Sequence, residues 1–176
     1  MPSFKKNTQP IEKLNNMTAD EKRAALLACC GSTRWAEEVS ALLPMWDVVQ
    51  LLIIGERIWG ELAREDWLEA FRAHPRIGEK KAEAEVSEAA RRWSDGEQSR
   101  ASAASQETLD ALAGANREYE EKFGFIFIVC ATNRSAEQML SHLRERMKND
   151  EETEIRIAAE EQWRITELRI KKLLNV

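Results

Sequence analysis

Two histidines, His74 and His142, are the chain's only side chains that ordinarily exchange a proton near neutral pH. His74 ends an amphipathic stretch and precedes Pro75, with Gly78 close behind. The residue before a proline is pushed out of the α region, so a helix stops there. A histidine at such a break can point into a pocket; it can equally be held by a neighbouring carbonyl. His142 lies mid-helix beside Arg144, Glu145 and Arg146 and reads as a solvated side chain. Ser94-Asp-Gly-Glu97-Gln98 fits a capping box, a device repeated at Thr18 and, with glutamine, at Ser135. It also sets an amide beside a carboxylate at a helix start, where free N–H groups suit an anionic or carbonyl-rich ligand. Cys29, Cys30 and Cys130 show no CxxC or Cys/His zinc spacing. Three buried thiols in a reducing compartment is their plain reading.

The closing helix adds a cation. With Ile155 at 0° and about 100° per residue, Ala158, Ala159, Ile165, Ile170 and Leu173 share one sector between about 280° and 60°. Arg169 falls at about 320° and Gln162 at about 340°, inside that sector, whereas Arg164 falls near 180°. A guanidinium on an apolar face has to be paired. The pairing is either a structural one with a core carboxylate or a clamp on a ligand's carboxylate or ureido carbonyl.

The elements that must position these groups are helices. The chain has 176 residues, 43% apolar and 32% charged, with seven glycines and four prolines. That is one domain's worth of chain, poor in turn residues and rich in helix formers. Capping boxes open helices at Thr18 and Ser135. Ser32 starts one that ends by Pro44, residues 45–60 form an apolar helix, and Arg64–Ala73 a short amphipathic one. Further helices are expected over Glu79–Trp93, Ser105–Lys122 and about Glu152–Leu174. Phe123-Gly-Phe-Ile-Phe-Ile-Val129 is the one β-like run, and without a partner strand it should lie extended against helices. The expected fold is all-α, one bundle-like domain of about eight helices over residues 1–176. The net charge of −5 argues against a general nucleic-acid binder. The longest apolar run, Val48–Ile54, is far short of the ~20 residues of a membrane span. No signal peptide and no Ser-Lys-Leu ending is read, so the expected location is the cytoplasm.

Taken together these segments resemble the 2-oxo-4-hydroxy-4-carboxy-5-ureidoimidazoline (OHCU) decarboxylase family, which acts between uric acid and allantoin. The resemblance rests on Cys29-Cys-Gly-Ser-Thr-Arg-Trp35-Ala, Ala73-His74-Pro75-Arg-Ile-Gly78, Ser94-x-x-Glu97-Gln98, Tyr119 with Phe123-Gly-Phe-Ile-Phe127 and on to Cys130-Ala, and Glu167-Leu-Arg169-Ile. Ile126 departs from the pattern, in which proline is common. The resemblance implies an all-α enzyme, commonly a homodimer, that uses no cofactor or metal and yields (S)-allantoin. It implies His74 as the acid/base and Glu97 as its carboxylate partner, which would raise the histidine's pKa. Ser94 and Gln98 would bond the ring and ureido groups, and Arg169 would hold polar groups of the substrate. Pro75 would shape the pocket, and the Phe125–Ile128 backbone, Phe127 and Ile128 included, would line it.

Three other readings make different demands. A helical interaction module would leave His74, Glu97 and Arg169 far apart. A metal-dependent hydrolase would need paired histidine spacing, which is absent. A paralogue acting on a related ureido compound would keep the same fold and site.

Overall fold

Short polar caps and apolar stripes set the helix boundaries in this computed structural model, which describes residues 9–76 and 105–176. Among the described residues there are eight helices and no strand: α1 Gln9–Asn15, α2 Ala19–Cys30, α3 Thr33–Ala41, α4 Val48–Glu61, α5 Arg64–Arg72, α6 Gln106–Phe123, α7 Ala136–Arg146 and α8 Glu151–Leu174. The all-α expectation holds there. The helix expected over Glu79–Trp93 lies outside the described residues, and α1 was not expected.

The caps explain most boundaries. Thr18 accepts from the Glu21 N–H while the Glu21 carboxylate reaches back to Thr18 N at 2.8 Å, so α2 starts with a complete capping box. Ser135 and Gln138 do the same for α7. Asp47 accepts from Gln50 N at 2.8 Å and starts α4 at Val48, three residues later than the apolar pattern suggests. Trp46 is therefore outside the helix and 88% exposed, a correction to its reading as part of the apolar helix. Asp150 caps α8, whose first turn carries Glu151, Glu152 and Glu154 at the positive end of the helix dipole.

The bundle is organised around α8, which packs against α1, α2, α4 and α5. Its burial is broader than the apolar sector: Glu154 and Glu161 are buried along with Ile155, Ala158, Gln162, Ile165, Arg169 and Ile170. A sequence reading that looks for apolar residues misses those carboxylates, because ion pairing makes their burial tolerable. The α6–α7 pair packs beside this group, with the C-terminal ends of both helices together where Lys122 Nζ donates to the Met147 carbonyl at 2.5 Å.

Between α6 and α7 the chain runs extended. Gly124, at φ 76°, closes α6 in the left-handed conformation that glycine adopts without strain. Phe125, Phe127, Ile128, Val129 and Ala131 are then buried without a helix or strand. This matches the expected extended segment. A buried backbone without a ladder needs other partners. Arg146 Nη1 donates to the Ile128 carbonyl at 2.7 Å, and Cys130 N donates to Glu161 at 2.7 Å.

Candidate active site at the α2–α3 turn, the end of α5 and the face of α8

The Cys29–Trp35 motif is a helix-to-helix turn that packs on the end of α5. Gly31 terminates α2 at φ 86°, with its N–H bonded to the Leu27 carbonyl at 2.7 Å. Ser32 caps α3, and Trp35 donates its indole N–H to the Gly55 carbonyl at 2.9 Å, tying α3 to α4. Thr33 offers its N–H and hydroxyl to the Glu69 carboxylate at 3.1 and 2.6 Å, tying the same turn to α5. A Cβ on Gly31 would lie 2.7 Å from the Cβ of Ala73. The backbones touch there, one residue before His74.

His74 sits where α5 runs out. Its N–H bonds to the Phe71 carbonyl at 3.1 Å, a tightened last turn before Pro75. Beyond the half-buried Pro75, Arg76 grips Glu120 on α6 through two bonds of 2.8 and 2.9 Å. Phe71, a turn back, packs on Phe125 with ring centres 5.4 Å apart, which joins α5 to the extended segment. His142 is exposed on α7, as its polar neighbours suggest.

The imidazole faces α8. Its Nε2 is buried and has no hydrogen-bond partner among the described residues. Burial pushes its pKa down from 6.5 to about 3, and the positive charge of Arg169 pushes the same way; the Gln162 amide opposes them. The direction is opposite to the one a carboxylate partner alone would give. Desolvation and a nearby guanidinium both favour the neutral ring. Arg169 is 2% exposed, so the sequence placement of its guanidinium on the buried face is correct, and Arg164 lies partly exposed on the other side. Arg169 also acts on Cys29 and Cys30, whose thiols burial pushes up to about 12 and thus keeps protonated. Both are buried and outside any disulfide, and Cys130, also outside any disulfide, is only half-buried.

The structure therefore brings His74 and Arg169 together. Ser94, Glu97 and Gln98 lie outside the described residues. Phe127 and Ile128 make their contacts with α6 and α7: Phe127 packs on Tyr119 at 5.3 Å and under Arg146 at 4.6 Å, and the Ile128 carbonyl is taken by Arg146. Phe125, not Phe127, reaches α5. Behind the segment, Arg146 and Glu154 form a buried ion pair of 2.6 Å that also receives the Tyr119 hydroxyl and, at 2.8 Å, the Asn149 amide.

Gln162 is the site residue that sequence reasoning missed. Its only signal is an amide at about 340° on an apolar helix face. It is fully buried, and its Nε2 donates to the Cys30 carbonyl at 3.0 Å. A separate groove of about 730 Å³ lies between α4 and α8, lined by Val49, Ile53, Trp59, Trp163, Arg164 and other residues. Arg164 and Trp163 are on the face of α8 away from Arg169, so this groove does not belong to the His74 site. No cluster of three or more His, Cys, Asp or Glu among the described residues is placed to hold a metal ion.

Comparison with known proteins places this geometry in a family. The OHCU decarboxylase family profile matches residues 15–171. The uric acid degradation bifunctional protein of Arabidopsis thaliana is 43% identical over 148 residues, covering 84% of this chain and 45% of that protein. The chain thus spans less than half of that relative's length. The 2-oxo-4-hydroxy-4-carboxy-5-ureidoimidazoline decarboxylase of Haloferax volcanii is 30% identical over 161 residues, covering 91% of this chain and 93% of its own. The crystal structure of an OHCU decarboxylase in the presence of (S)-allantoin superposes with a TM-score of 0.74 at 39% identity, over 85% of this chain and 96% of that one. With its profile, its relatives and its fold in agreement, the chain belongs to the OHCU decarboxylase family.

Proposed function

We propose that this protein, as one domain spanning residues 1–176, is a carboxy-lyase that converts OHCU to (S)-allantoin and carbon dioxide. The observation that carries the reading is a half-buried histidine with an enclosed Nε2 and a buried arginine brought together at a helix end, in a chain of this family.

The substrate carries a carboxylate and a hydroxyl on one ring carbon, next to an imine carbon. Breaking the bond to the carboxylate sends its electron pair into a new ring double bond and the imine electrons to nitrogen, which takes a proton. The substrate is its own electron sink, so the step asks for no cofactor. A second proton then adds to the ureido-bearing carbon as the hydroxyl loses its own and becomes the carbonyl. Adding that proton from one face gives one enantiomer.

His74 is the group that handles these protons. It is neutral in the free protein and so can accept one. An anionic substrate beside Arg169 offsets the charge that depresses the ring's pKa, so binding itself makes His74 a stronger base. Arg169 orients the carboxylate or ureido oxygens with its planar fork. Glu97 is the carboxylate partner of His74, and Ser94, Gln98, Pro75 and the Phe127–Ile128 backbone surround the ring. The free thiols suit a cytoplasmic, reducing setting.

Incubating OHCU with the protein and with His74→Ala tests the assignment. The variant should fold and lose roughly 100-fold or more of the turnover, the usual range for removing a positioned acid/base. Near-wild-type turnover by His74→Ala would remove His74 from the mechanism.

A further inference from the structure

The orientation of the Gln162 amide is fixed by its surroundings. Its Nε2 faces two oxygens, the Cys30 carbonyl at 3.0 Å and the Thr166 hydroxyl at 3.3 Å. The carbonyl can only accept. The Thr166 hydroxyl gives its proton to the Gln162 backbone carbonyl at 3.0 Å, so towards the amide it too can only accept. Flipping the amide would press its oxygen against two acceptors. The NH2 end therefore points at α2, and Oε1 points away from it. That oxygen is buried without a partner among the described residues, as is Nε2 of His74, and the two side chains interact. Two unpaired buried atoms, an acceptor and a ring nitrogen, thus belong to side chains that interact across the α5–α8 contact.

An acceptor facing a neutral imidazole selects the tautomer with the proton on the facing nitrogen. We propose that Gln162 is the positioning residue of His74: it holds the ring as the Nε2–H tautomer, which leaves Nδ1 as the basic nitrogen presented to substrate. The role rests on the decarboxylase reading for its catalytic meaning, but the tautomer itself does not. Once Nδ1 takes a proton, the ring is an imidazolium whose Nε2–H still points at Oε1, so the same contact steadies the charged state. The other charged and titratable groups at this junction are Arg169 on α8 and the protonated Cys29 and Cys30 thiols on α2, with Glu69 on α5 beyond Cys30.

With two histidines in the chain, ¹⁵N-histidine NMR of the substrate-free protein reads the tautomer directly. Wild-type His74 is expected as Nε2–H. Gln162→Met should mix the two tautomers and lower kcat about 10-fold or more, with KM changed by no more than about twofold. Gln162→Glu keeps an acceptor in place; it should restore the Nε2–H form and move the histidine titration to higher pH. An Nδ1–H ring in the wild type overturns the proposal, and that result decides even if neither variant folds. So does a Gln162→Met protein that keeps both the tautomer and the wild-type kcat. Wild-type protein with the Nε2–H ring but no OHCU turnover instead sinks the decarboxylase reading.

Discussion

His74 carries the proton chemistry because its neighbours decide its charge. The sequence shows the histidine, its proline and the helix break, and it places Arg169 on the buried face of the last helix. It does not show that the guanidinium and the imidazole meet, since that depends on how α5 and α8 pack. Burial first, and then the Arg169 charge, hold the histidine's pKa down; the rise expected from Glu97 concerns a residue outside the described ones. The sign of the consequence for stability follows. The folded protein holds His74 at about 3 and the unfolded chain at its ordinary 6.5, so between those values the unfolded chain binds more protons. The contribution is intact above pH 6.5 and is lost as pH falls towards 3, by up to about 1.4 kcal/mol per pH unit. Urea unfolding of the wild type and of His74→Asn across this range should show a steeper acid loss in the wild type. Parallel curves would mean that the ring is not held neutral.

At the scale of elements, the α2–α3 turn and the extended segment do the positioning. The Cys-Cys-Gly-Ser-Thr motif was legible as a helix stop and start. What it stops against was not, because the Gly31–Ala73 approach joins segments about forty residues apart in the chain. Gly31→Ala places a side chain at φ 86° and 2.7 Å from the Ala73 Cβ. It should destabilise the protein by about 1–2 kcal/mol from the left-handed backbone alone, and lower kcat by displacing the residue next to His74. Unchanged kcat in a folded variant would detach this turn from the site. The Phe125–Ala131 segment was legible as extended, but its anchors were not: they are charged residues on α7 and α8 that composition assigns to the surface. Glu154→Ala leaves the Arg146 guanidinium without its buried partner and should cost roughly 3–5 kcal/mol in chemical denaturation. A loss under about 1 kcal/mol, the level of an exposed pair, would show that the network does not hold the segment.

At the scale of the whole molecule, helix-rich composition and capping boxes were enough for the architecture, and the order of the motifs was enough for the family. The surface was less legible. Val49 and Ile53 are 62% and 63% exposed in the α4–α8 groove. Arg156, Glu160, Arg164 and Glu167 alternate in sign along the rim. An apolar strip with alternating charges can pair with its own copy about a two-fold axis, so we propose this face as the homodimer contact. Ile53→Glu should give a monomer by light scattering while keeping the helical circular dichroism; a dimer of unchanged affinity would place the contact elsewhere. The central claim is the stereospecific decarboxylation, and one measurement addresses it. OHCU generated from urate by the upstream enzymes is given to the protein and followed by circular dichroism. Rapid growth of the (S)-allantoin signal, abolished in His74→Ala, is the predicted result. Only the slow, optically inactive background in the presence of wild-type protein would contradict it.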